Sequence, residues 1–194
     1  TPDGLRSSNG DFSKNKQQSY VLNLKWMLGE YELKSITSYT KLKYDELCDC
    51  DYTGANVFLA QLQEQYKQVS QELRLTSPIK QHYDFVAGVY YQSGDHDYGD
   101  QIIVYPNSIL IPAINARSPG AGTALTNTQA ARLAGADSDL YAAFAQVKAR
   151  PFDRFELQLG GRVTHEKKSG FRTLTIQSAG GGTLPAAQAA AAAV

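Results

Sequence analysis

The sequence predicts an all-β chain: antiparallel strands of a transmembrane β-barrel, about six of them, belonging to a larger barrel. Three observations carry that prediction. Apolar and polar residues alternate with period two along most of the chain, which puts one class of side chain on each face of a strand. The alternating segments run to about twelve residues or more, where about ten cross a bilayer. The connections are by turns short and long, the layout of a barrel with short periplasmic turns and long extracellular loops.

The elements follow in order. Residues 1–17 are polar and read as a segment of an outer loop; no leader is visible, as in a mature chain or an internal fragment. Barrel strands then occupy residues 18–168. Tyr20, Leu22, Leu24, Trp26 and Leu28 alternate with residues such as Asn23 and Lys25, and Gly29-Glu30 is a tight-turn signal. Tyr31 to Tyr44, rich in Tyr, Thr, Ile and Leu, forms the return strand, and residues 45–63 read as a long loop. In the next strand Val69, Leu73 and Leu75 face one way, and Tyr66, Gln68, Ser70, Glu72, Arg74 and Thr76 the other. Ser77 to Gln81 is a turn. Tyr83, Phe85, Ala87, Val89 and Tyr91 then share a face opposite His82, Asp84, Gly88, Tyr90 and Gln92.

Residues 94–137 read as a second long loop, with a short helix at 127–136 capped by Asn127 or Thr128. The segment 138–149 fits a helical stripe through Leu140, Phe144 and Val147 as well as a strand. The turn signal at Arg150 to Arg154, with a strand directly after it, favours the strand. In that last strand Phe155, Leu157, Leu159, Gly161 and Val163 oppose Glu156, Gln158, Gly160, Arg162, Thr164 and Glu166. Residues 169–194 are a Gly/Ala-rich loop or tail without periodicity.

Composition narrows the function. The formal net charge is zero, which leaves no basic footprint for nucleic acid. No run of eighteen apolar residues is present, so no membrane-spanning helix is predicted. The chain holds 12 Tyr against 7 Phe and 1 Trp, and Tyr suits an interface that is apolar on one side and wet on the other. Trp26, Tyr20, Tyr31, Tyr83 and Tyr91 lie near strand ends, where they would form aromatic girdles or else pack into a buried β core. With so little helix to cover an apolar face, outer-membrane lipid is the partner that face implies, because a closed barrel satisfies its backbone groups inside a bilayer. Six strands are too few to close one.

Three stretches resemble the TonB-dependent outer-membrane receptors. They are "VSQELRLTSP" with "YDFVAGVYYQ", "LKWMLGEYELKSITSYTKLKYDE", and "YAAFAQVKARPFDRFELQLGGRVTHEKK", in the family's order over about residues 18–168. The resemblance implies a barrel of about twenty-two strands with a plugged lumen, in the bacterial outer membrane. It implies energised uptake of a scarce nutrient, most often a ferric siderophore, with a TonB complex acting through a plug domain that this sequence does not contain. The alternatives are a passive porin-like barrel and a soluble secreted β-barrel that binds a ligand.

The candidate residues follow from this layout. Glu72, Arg74, Asp84, Glu156, Arg162 and Glu166 fall on the lumen side, where they contact a plug, line a substrate path, or simply form a solvated polar interior. Tyr90, His96 and Tyr98 are candidate ligand contacts at an outer loop. Cys48 and Cys50, in "DELCDCD", are a possible disulfide, though so short a loop strains the bond. They are too few for a zinc site, and no metal is expected. "DHDYGD" at 95–100 opens like a calcium loop but lacks Gly at position six and Glu at position twelve. No catalytic constellation appears: His82, His96 and His165 lie on separate segments without a nucleophile motif, and no cofactor is implied.

Overall fold

The computed structural model describes residues 11–49, 55–79, 82–152, 154–185 and 188–189. Six strands form one antiparallel sheet in sequence order: β1 (Phe12–Leu28), β2 (Tyr31–Cys48), β3 (Leu59–Thr76), β4 (Tyr83–Val104), β5 (Thr128–Phe152) and β6 (Phe155–Ser178). Each strand pairs only with its sequence neighbours, and the sheet does not close on itself. Gly29, at φ 64°, closes the β1–β2 hairpin in two residues, with Leu28 opposite Tyr31. That is the position where a tight hairpin turn requires a left-handed residue. The β3–β4 and β5–β6 turns lie at the same end, and the longer connections lie at the other.

Several sequence expectations are corrected. β4 runs on to Val104, so most of the loop expected at 94–137 is strand. The helix expected at 127–136 is the start of β5, and Asn127 is no N-cap: it takes φ 56° and turns the chain into the strand. Two short helices, α1 (Leu110–Asn115) and α2 (Ala121–Ala124), lie in the remaining connection instead. β3 starts at Leu59 and β2 reaches Cys48, which shortens the loop expected at 45–63. β1 starts at Phe12, inside the segment read as loop, and β6 continues to Ser178, into the segment read as tail. The ambiguous segment 138–149 lies wholly within β5.

Residues opposite each other in an antiparallel pair point to the same side, so the register assigns every side chain to a face. One face carries Tyr20 to Leu28 of β1 at even positions, joined by Tyr31, Leu33 and Tyr39 of β2. It continues through Val69, Leu73 and Leu75 to Phe85, Ala87, Val89 and Tyr91. Ala143, Ala145 and Val147 of β5 and Leu157, Leu159 and Val163 of β6 complete it.

This apolar face is a band with two edges. Tyr20–Leu28, Tyr31–Tyr39, Tyr83–Tyr91 and Tyr141–Ala149 each span about nine residues, roughly 30 Å of strand. At the ~40° tilt of barrel strands that is roughly 23 Å of height, close to the ~25 Å apolar band of outer-membrane barrels. The band also drifts across the register. The row Leu24–Ser35–Leu73–Val89–Ala143–Val163 is mid-band in β1 but at the upper limit in β6. Such a stagger is what tilted strands produce. Above the band the same face turns polar, with Lys41, Lys67, Asp95 and Asp137.

The sheet has no core of its own. Among the described residues only Leu59 and Ala142 are buried hydrophobics, while Leu22, Leu28, Val89, Leu159 and Val163 are all more than half exposed. A soluble β-barrel would bury these side chains against each other. Among the described residues nothing covers them, and lipid is the solvent that suits them.

Candidate functional site

The second face is the chemically varied one. In the middle of β3 its even residues are half-buried where their odd neighbours are exposed. Across β3 to β6 it consists of register rows. Arg74, Gly88, Phe144 and Arg162 form one row; Glu72, Tyr90, Ala142 and Thr164 form the next. Ser70, Gln92, Leu140 and Glu166 follow above.

The lower rows form a connected pavement. Arg74 donates to Glu72 from Nε at 2.8 Å and from Nη2 at 2.5 Å, and its guanidinium lies 5.9 Å from the Phe144 ring centroid. Gly88 makes that contact possible: a Cβ there would stand 2.5 Å from Phe144 Cζ and 2.6 Å from the Leu73 carbonyl oxygen. The Phe144 ring fills the space a side chain would have taken. Arg162 lies 5.5 Å from the Tyr90 ring and donates from Nε to the Thr164 hydroxyl at 3.1 Å. The Tyr90 hydroxyl donates to Gln92 Oε1 at 2.8 Å. Arginines stacked on rings lose less freedom when they bind an anion, because the guanidinium is already held.

The expected site residues therefore fall into separate groups. Glu72, Arg74 and Arg162 share the pavement. Tyr90 lies there too, in the middle of β4 rather than at a loop. Asp84 stands at the short-turn end, where Arg150 Nη1 donates to it at 2.8 Å. Arg150 Nε and Lys148 Nζ each reach Glu156 at 3.0 Å in the same cluster. Glu166 pairs along its own strand with Lys168 at 2.9 Å. Cys48 ends β2, and Cys50 lies outside the described residues, as does any pairing between them.

His96 and Tyr98 are also strand residues, in the part of β4 above the apolar band. His96 Nε2 lies 2.8 Å from Glu64 Oε1, with its ring edge-on to Tyr66 at 6.0 Å. Tyr98 sits opposite Glu64 in the register. One row further, Arg132 Nε donates to Asp100 at 2.8 and 3.0 Å. That hydrogen bonding raises the Arg132 pKa above its ordinary value and holds the guanidinium charged. The sequence reading assigns no site role to Glu64, Asp100 or Arg132, and it sets Tyr66 on this face of a strand without one. Asp100 and Arg132 fall in segments expected as loop and helix, and only the pairing of β3, β4 and β5 brings the four residues to one surface. The alternation of His96, Tyr98, Asp100 and Ile102 was the available signal.

The long-loop end is tied across itself. Ile109 N donates to the Asn56 carbonyl at 2.9 Å, Asn56 Nδ2 donates to Asn107 Oδ1 at 2.7 Å, and the Ser108 hydroxyl donates to the Val57 carbonyl. Ser108 is buried, at 3% exposed, while the Asn56–Asn107 bond beside it is open to solvent. Ala179 N donates to the Asn127 carbonyl at 2.9 Å, which joins the end of β6 to the start of β5. Among the described residues no cluster of His, Cys, Asp and Glu could hold a metal ion.

Comparison with known proteins now bears on this architecture. The structure of the ferric yersiniabactin uptake receptor FyuA from Yersinia pestis superimposes with a TM-score of 0.60 at 16% identity. The match covers 88% of this chain and 26% of that one, so the chain spans about a quarter of the receptor it resembles. At this identity the likeness concerns the fold. No curated protein matches. A family model described as TonB dependent receptor-like, beta-barrel, matches residues 1–190. The two-faced sheet of neighbour-paired strands is thus a section of barrel wall, and the chain belongs to the TonB-dependent receptor-like β-barrel family.

Proposed function

We propose that this chain supplies wall strands to an outer-membrane receptor for energised uptake of a scarce nutrient, with a ferric siderophore as the leading ligand. The single observation that carries the reading is the two-faced, coreless sheet: an apolar band for lipid on one side, charged and aromatic rows for a lumen on the other. The family match and the likeness to a ferric siderophore receptor support it. In this reading Glu72, Arg74 and Arg162 line the lumen against a plug, and His96, Tyr98 and Arg132 meet the ligand near the outer mouth. TonB acts through a plug on another part of the protein.

The test is uptake of radioactive iron by cells producing the full-length receptor, across ferric catecholates, hydroxamates and phenolates, with and without TonB. The reading expects one class to be taken up, and only when TonB is present. Uptake that persists without TonB would identify a passive porin-like barrel instead. At the outer mouth, Arg132→Gln is expected to weaken binding of that chelate about tenfold, the lower range for a lost charge-assisted hydrogen bond. Barrel assembly should be unchanged; unaltered affinity would remove Arg132 from the ligand path.

A further inference from the structure

Above the lipid band a strand has water on both sides, so exposed apolar side chains that cluster there point to a ligand or partner. The lumen face of β3 to β6 carries such a cluster near the outer mouth. Ala60, Ile102, Ala130 and Ile176 form one register row, apolar from end to end. The next row down sets Leu62 and Leu174 on either side of the Asp100–Arg132 pair. Leu174 is 63% exposed and Ile176 45%, on the side turned away from lipid.

The apolar row leads into a cavity of about 280 Å³, where the α1–α2 connection meets the start of β5 and the end of β6. Ile114, Ala121, Leu125, Ile176 and Leu184 make most of its wall apolar. Hydrogen bonds hold the frame. Thr128 donates to the Leu125 carbonyl from N at 3.2 Å and from Oγ1 at 2.7 Å, and Gln188 Nε2 donates to the Thr126 carbonyl at 2.9 Å. Asn115 ties the two helices together, donating from Nδ2 to the Thr123 hydroxyl at 2.9 Å and accepting from Thr123 N at 3.1 Å.

Below the apolar rows the same face changes character. Glu64, Tyr98, Ala134 and Arg172 form the third row, with Tyr66, His96, Ala136 and Gly170 beneath. Arg172 is exposed and has no carboxylate partner among the described residues. Ile176 and Arg172 are four residues apart on one strand, roughly 13 Å, so a single ligand spans from the cation to the cavity. We propose that the ligand taken at this mouth is amphiphilic: an anionic iron chelate carrying an acyl arm. Its head lies against Arg172, Tyr98 and the Asp100–Arg132 pair, and its arm enters the cavity past Ile176. At about 30 Å³ for each water-sized group, the cavity takes an arm of roughly eight carbons. The proposal deepens the receptor reading above and rests on it.

The test uses full-length receptor in nanodiscs, with binding to empty discs subtracted. The probes are iron-loaded catecholates, hydroxamates and phenolates, each made in two forms that differ only in an acetyl or an octanoyl arm. Equilibrium dialysis with radioactive iron reads the affinity. In the class that the receptor imports, the octanoyl form is expected to bind at least about tenfold tighter, since each buried methylene gives roughly a fourfold gain. Leu125→Asn with Ile176→Asn should abolish that preference and leave the acetyl form at wild-type affinity. The heat-sensitive gel shift of folded barrels checks that this variant assembles; if it does not, the comparison of the two forms on wild type decides. Arg172→Gln should weaken both forms alike, by about tenfold. Equal affinity for the two forms, or a preference that survives the double substitution, would overturn the acyl arm, while TonB-dependent import of the acetyl form would leave the receptor reading standing. Octanoate alone binding as tightly as the octanoyl chelate would overturn it too, as the mark of a cavity separate from the chelate. No chelate bound or imported in either form would bring down the proposal and the receptor reading together.

Discussion

Leu159→Arg is expected to destabilise the assembled full-length barrel by roughly 2–4 kcal/mol, the cost of a cation near the bilayer midplane on the lipid side. Leu159 lies mid-band in β6, is 67% exposed, and stands opposite Val147 among apolar neighbours. Gln158→Arg, one residue away, turns the same charge to the other face. There it stands opposite Lys148, whose ammonium is answered by Glu156 at 3.0 Å. Its cost should stay below about 1 kcal/mol, as for an exposed charge in a polar row. Urea titration of the protein reconstituted in vesicles, read by the heat-sensitive gel shift of folded barrels, measures both. Equal costs at the two positions would sink the assignment of the apolar face to lipid.

Gly88→Val should be nearly as damaging from within the charged face. A Cβ at this position meets the Leu73 carbonyl oxygen at 2.6 Å and the Phe144 ring at 2.5 Å. The ring can rotate away, but the carbonyl belongs to the β3 ladder. Overpacking of this kind costs about 1–3 kcal/mol, and displacing Phe144 also removes the ring beneath Arg74. Combining Gly88→Val with Phe144→Ala should recover only the part due to the ring. The same unfolding titration separates the two parts, and a Gly88→Val protein as stable as wild type would refute this account of the glycine.

Much of this was legible before folding. Within the band, lipid on one side and water on the other force alternation, so the band part of β1, the first half of β4 and the lower half of β6 read directly from Leu22–Leu28, Tyr83–Tyr91 and Phe155–Val163. The turns were legible too, because Gly29 and Pro78 are residues that turns select, and Pro151 marks the irregularity at which β5 ends just before its turn. Legibility failed where the strands leave the band. "GDHDYGD" and "NTQAARLAGA" have water on both sides, and nothing there requires an apolar face. Their Asp, Gly and Ala content then reads as loop or helix. They are strands because each continues the ladder of a neighbour: Asp100 opposite Arg132, and Ala134 opposite Arg172.

The sequence by itself determined the class of structure, the positions of the hairpins and which residues can face lipid, since these follow from local periodicity and turn chemistry. Only the tertiary structure decided the pairings. It set Arg74 beside Phe144 across Gly88, His96 beside Glu64, and Lys41 opposite Lys67. Such contacts join residues far apart in the sequence, and cross-strand register, which no local pattern encodes, sets them.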